Sequence, residues 1–163
     1  MEDGLKVLAI DPATNCGWAH SCGTHGLLDL SKNKDESPGM RLARLWTFLQ
    51  GMLESPGIDA IGFESSQNVR GNGIKLQSRL EGVIILFAET RGVPYRAYNP
   101  SELKKLSTGS GNAGKEDMVA RALEIRPSAA KKGISHDEAD AICIMAALEG
   151  ELGGVPKEVF KNP

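Results

Sequence analysis

The chain has 163 residues, 40% hydrophobic and 25% charged, with a formal net charge of −2. A chain of this size fits one domain with a substantial core, and no stretch approaches the roughly 20 apolar residues that a membrane helix needs. The near-neutral charge excludes a protein coated in basic residues, so any nucleic-acid contact must rest on local clusters of Lys and Arg. Cys16, Cys22 and Cys143 form an odd set without framework spacing, and the N-terminus has no signal-peptide pattern; reduced thiols and a cytosolic compartment are expected.

The run from Leu5 to Ile10 predicts a buried strand that ends on Asp11. A turn containing Pro12 follows, then two short strands around Trp18–His20 and Gly26–Leu30, so the first part reads as a three-stranded meander. Met40, Leu42, Leu45, Trp46, Phe48, Leu49, Met52 and Leu53 recur at helical spacing between Pro38-Gly39 and Pro56-Gly57. Residues 58–64 predict a fourth strand that ends on Glu64, followed by an exposed loop from Ser65 to Gly73. A helix from about Ile74 to Arg91 contains Val83–Phe87, which is apolar on every side; one face is expected against the sheet and another against a second helix or subunit. Strand Pro94–Tyr98 leads to a short helix with Ser101 as its N-cap. Ser107–Gly114 is too glycine-rich to be regular. Lys115 opens a helix to about Ile125, and a last helix runs from about His136 to Glu149.

Four acids carry the functional signal. Asp11 and Glu64 close apolar strands, and Asp137 and Asp140, three apart, share one face of the last helix. Packed together they repel one another, which is tolerable if hard divalent cations lie between them, and oxygen donors select Mg²⁺ or Mn²⁺ over zinc. Two such ions about 4 Å apart can activate a water and stabilise a leaving oxygen in phosphodiester cleavage. Antiparallel strands first, then alternating helices and strands, predict an α/β fold with a mixed sheet covered by helices.

The segments Ala9-Ile10-Asp11-Pro12, Phe63-Glu64 and Asp137-Glu138-Ala139-Asp140-Ala141, in this order, resemble the RuvC-type Holliday junction resolvases of the ribonuclease H-like superfamily. Lys104 and Lys115 flank the glycine-rich segment at the separation where that family carries two basic residues. The resemblance spans about residues 5–149, and it implies a single nuclease domain over 1–163 with a five-stranded ribonuclease H-like sheet. It also implies a homodimeric endonuclease acting on four-way or branched DNA, with two Mg²⁺ ions, or Mn²⁺ in their place, on Asp11, Glu64, Asp137 and Asp140. Lys115 would offset transition-state charge; Lys104, Lys105, Lys115, Gln67, Asn68, Arg70, Lys75 and Arg79 would contact DNA. A cytoplasmic location, at the nucleoid or in a virus-infected bacterial cell, accompanies this reading, and no partner helicase is assigned. The family usually places an aromatic wedge three positions after the glutamate; Gln67 stands there, which implies broader cleavage of branched DNA, with Asn68 and Arg70 hydrogen-bonding where the aromatic would stack.

Gly109–Lys115 satisfies G-x-x-x-x-G-K, but Glu116 stands where a phosphate-binding loop needs Ser or Thr, and no buried strand leads into it. Cys16, His20, Cys22 and His25 suggest zinc only weakly, because their spacing fits no standard finger. His136 is readable as a proton relay, a phosphate contact or a plain helix-start residue. A ribonuclease H acting on RNA–DNA hybrids shares the fold and the acids, and a junction-binding module with a degenerate site is the non-enzymatic rival.

Overall fold

A computed structural model describes residues 4–65 and 72–153. Its sheet has the order β3-β2-β1-β4-β5, built from β1 (Val7–Asp11), β2 (Asn15–His20), β3 (His25–Asp29), β4 (Ala60–Glu64) and β5 (Tyr95–Tyr98). β1 pairs antiparallel with β2, and β2 with β3, whereas β1–β4 and β4–β5 are parallel. The five-stranded mixed sheet with an antiparallel meander is thus the one expected. The helices are α1 (Gly39–Glu54), α2 (Asn72–Arg91), α3 (Pro100–Thr108), α4 (Lys115–Ile125) and α5 (His136–Leu152), with a short 3₁₀ turn at Pro127–Lys131.

Alternation along the central strands decides which face each side chain meets. Leu8 and Ile10 of β1, with Ile61 and Phe63 of β4, pack in a cluster with Leu45 and Leu49 of α1 and Leu80, Ile84 and Phe87 of α2. Val7, Ala9 and Ala60 face the other way, into a cluster with Ile142, Ile144, Met145 and Leu148 of α5. One residue beyond, the same alternation turns Asp11 and Glu64 toward the α5 face. At Gly62 a Cβ would lie 2.9 Å from Ile144 Cγ2, so the missing side chain lets α5 lie close on the sheet.

Buried residues surround α5, including Ala139, Ala141, Ile142, Cys143 and Ile144. Such a helix lies between two layers, here the sheet and α4. It runs on to Leu152, past the expected end at Glu149. The N-cap of α3 is Asn99, whose Oδ1 accepts the Glu102 N–H at 2.7 Å, and Pro100 takes the first turn; the expected cap, Ser101, is therefore corrected by two residues. Among the described residues no helix is long and apolar enough to cross a membrane.

Candidate active site and metal centre

Asp11 ends β1 and is almost wholly buried, at 7% exposure. Parallel pairing sets Ile10 opposite Phe63, so the next residues, Asp11 and Glu64, are neighbours at the strand ends. Ser135 caps α5 by accepting the Glu138 N–H at 3.1 Å, and the first turns of that helix bring in Asp137 and Asp140. Carboxylate oxygens of Asp11, Glu64 and Asp140 all lie within 4.8 Å of one another. Asp137 joins them through a side-chain hydrogen bond with Asp11.

The electrostatics show how crowded this cluster is. Burial, followed by the charges of Glu64, Asp140 and Asp137, holds the Asp11 carboxyl well above the usual carboxylate range, and the Asp137 hydrogen bond acts in the same direction. Glu64 is pushed up to about 7, chiefly by burial and next by Asp140, against the pull of Lys104. Asp140 is pushed up to about 6 by burial and Asp137, with His136, Lys104 and Lys115 opposing. Carboxylates that bind protons this readily lack sufficient positive charge nearby. A hard cation with oxygen ligands supplies that charge without a proton, so this donor set fits a divalent metal.

The flanking residues fall into two groups. Lys104 on α3 and Lys115 at the start of α4 both lie close enough to favour the ionised form of Asp140, as does the exposed His136. Lys105 is exposed on α3, and Lys75 and Arg79 are exposed on α2. Gln67, Asn68 and Arg70 lie outside the described residues. The segment between α3 and α4 is entered from a helix, which removes the strand that a phosphate-binding loop requires. Its end is fixed locally: the Gly114 N–H donates to Asp117 Oδ2 at 2.9 Å.

The four Cys and His residues weighed for zinc do not converge. His20 is fully buried, with Nε2 2.8 Å from the Gly57 carbonyl and Nδ1 accepting the Cys22 N–H at 2.9 Å. His25 instead meets Glu138 of α5 at 2.9 Å. That pair eluded the sequence because its partners are 113 positions apart. Gly17 was missed as well, although a glycine inside a strand is a recognised sign of close backbone approach.

The family described as crossover junction endodeoxyribonuclease RuvC matches residues 7–147. The chain belongs to the RuvC family. The matched span contains all four acids and both flanking lysines. RuvC of Nitratidesulfovibrio vulgaris strain DP4 is 31% identical over 139 residues, 78% of this chain and 82% of that protein. For RuvC of Salinibacter ruber the identity is 33% over 151 residues, 86% of this chain and 82% of the relative. The fold is also that of T. thermophilus RuvC, solved in complex with a Holliday junction substrate: TM-score 0.73 at 23% identity, covering 88% of this chain and 92% of the other.

Proposed function

We propose that this RuvC-family chain, acting as one nuclease domain over 1–163, is a metal-dependent, structure-selective DNA endonuclease that resolves Holliday junctions and other branched DNA by paired symmetric nicks. The observation that carries this reading is the meeting of Asp11, Glu64 and Asp140 within 4.8 Å at the ends of three different elements of a RuvC fold. Asp11, Glu64, Asp137 and Asp140 hold two Mg²⁺ ions, for which Mn²⁺ can substitute, because all four offer hard oxygen donors. Bound there, the ions supply Lewis acidity that makes water nucleophilic at neutral pH and neutralises charge on the leaving oxygen. The strand ends and the capped start of α5 fix the carboxylates beforehand, and burial keeps bulk water from screening them. DNA contacts come from Lys104, Lys105, Lys75 and Arg79, together with Gln67, Asn68 and Arg70, which follow Glu64 in the sequence. A nucleoid-associated, cytoplasmic site of action accompanies this substrate.

The test is incubation with labelled four-way junction, flap, linear duplex and RNA–DNA hybrid, with and without Mg²⁺. Metal-dependent, symmetric cutting of the junction is expected; cutting confined to the RNA strand of the hybrid would replace this reading with a ribonuclease H.

Lys115 and Lys104 should separate in their effects. Lys115→Ala is expected to lower kcat by about 10²-fold with little change in junction affinity, since a group that meets developing charge contributes mainly in the transition state. Lys104→Ala should weaken binding and flatten its dependence on salt by about one phosphate contact. Single-turnover rates and binding across a salt series measure both. Equal losses of rate in both variants would remove the special role of Lys115.

Symmetric nicking needs two sites related by a two-fold axis, hence a second copy of the chain. The candidate interface is α2, where Ile84 and Phe87 are buried while Ile85 is 36% and Leu86 57% exposed. Leu86→Glu should dissociate the dimer and convert paired nicks into slow single ones. Sedimentation velocity and the ratio of nicked to resolved junction report the two effects; an unmodified protein that sediments as a monomer with junction DNA would defeat the symmetric mechanism.

A further inference from the structure

Asp137 and Asp140 sit at the start of α5, where repulsion from Asp11 and Glu64 pushes that end of the helix away from the strands, opposed by the Asp137–Asp11 hydrogen bond. Asp11 and Glu64 are anchored by the sheet ladder, so any yielding falls on the first turn of α5. That turn rests directly on β2. Gly17 pairs with Asp11 across β1–β2, and a Cβ at Gly17 would overlap the Asp137 carbonyl and lie 2.9 Å from the Glu138 nitrogen. That contact brings the backbones close, and the core packing of α5 holds the helix body on the sheet, but neither gives the first turn a directional bond to β2 or β3.

A further restraint comes from the next strand. His25 opens β3, opposite Ala19 of β2, and its Nδ1 lies 2.9 Å from Glu138 Oε2. Both side chains are largely enclosed, at 20% and 15% exposure. Glu138 lies between Asp137 and Asp140 in sequence, yet successive helical residues point about 100° apart. Its side chain therefore turns to β3 and ties down the same turn from outside the acid cluster. We infer that His25 is a positioning residue: through Glu138 it holds the first turn of α5, and with it Asp137 and Asp140, against Asp11. This rests on the reading of the four acids as the metal site.

The experiment compares the unmodified protein with His25→Leu, His25→Asn, Glu138→Leu and the double leucine variant. Mn²⁺ binding is followed by isothermal titration calorimetry, junction binding by anisotropy in chelator, kcat and KM by cleavage, and folding by circular dichroism. Either single leucine variant should bind Mn²⁺ about 10-fold more weakly, the low end of what outer groups contribute to metal affinity, with kcat reduced and junction affinity and KM unchanged. The double variant should be no worse than the singles, because one bond is being removed. Asn places an amide nitrogen where Nδ1 stands, so His25→Asn should recover most of the loss. Unchanged Mn²⁺ affinity in folded His25→Leu, or His25→Asn no better than His25→Leu, would overturn the inference. An unmodified protein that neither binds Mn²⁺ nor cuts branched DNA would instead overturn the functional reading, and the inference with it.

Discussion

Glu64→Gln and Asp140→Asn should each abolish strand cleavage while leaving junction binding within about twofold, and both should make the metal-free protein more stable. The loss of cleavage follows from charge: an amide keeps the shape of the carboxylate but is a poor ligand for a hard divalent ion. Lewis-acid stabilisation is several kcal/mol, and losing about 4 kcal/mol slows a reaction about 10³-fold. Junction binding survives because it rests on phosphate contacts spread over the surface. The gain in stability follows from crowding. Glu64 and Asp140 sit within 4.8 Å of Asp11, and removing one of the like charges relieves the others. A relief of about 1 kcal/mol corresponds to a rise in Tm of roughly 2–4 °C for a domain of this size. Gel assays on a labelled four-way junction, anisotropy in chelator and calorimetry measure the three effects. Near-normal cleavage by either variant would end the two-metal assignment.

Much of this site is legible in the sequence because strand periodicity is rigid. Once residues 5–10 read as a buried strand, alternation alone places Asp11 on the face shared with Val7 and Ala9, and the same rule carries Glu64. The spacing of Asp137 and Asp140 fixes their common direction in the same way. What the local pattern could not supply was contact between elements. Cys16, His20, Cys22 and His25 look like one cluster along the chain, but pairing of β2 with β3 and the packing of α5 separate them, and His20 is spent on the Gly57 carbonyl.

Two helix boundaries differ from the expected ones, one for a local reason and one for a tertiary one. Pro100 at the first turn of α3 pointed to Asn99 as the cap, since proline is tolerated where no N–H is required. Leu152 belongs to α5 because it packs into the core across from β1, a tertiary contact that outweighs Gly150 as a stop. The helical lysines belong to a different class. Lys104 and Lys105 are indistinguishable by composition; only the fold turns Lys104 toward Glu64 and Asp140 and leaves Lys105 exposed.

Metal-free protein should lose stability as the pH rises from 4.5 to 7, the reverse of the usual behaviour of a carboxylate stabilised by a salt bridge. In the fold, Glu64 is raised from 4.5 to about 7 and Asp140 from 3.8 to about 6, in each case first by burial. Between the ordinary and the raised values the unfolded chain has already released its proton while the folded chain still holds it. The unfolded state then binds fewer protons, so stability falls with rising pH through those windows, and the raised Asp11 carboxyl acts in the same direction. A tenfold change in proton affinity is 1.36 kcal/mol, so the loss is on the order of several kcal/mol, a fall in Tm of roughly 10 °C or more. Mn²⁺ binds the ionised carboxylates of the folded chain and should reverse the trend. At about 100 times its dissociation constant it contributes about 2.7 kcal/mol, enough to offset a substantial part of the loss at neutral pH. Calorimetric scans at pH 5.0, 6.0 and 7.5, in chelator and in Mn²⁺, provide the comparison. A Tm in chelator that climbs steadily across this range, with no added effect of Mn²⁺ at pH 7.5, would mean that the four acids do not face one another.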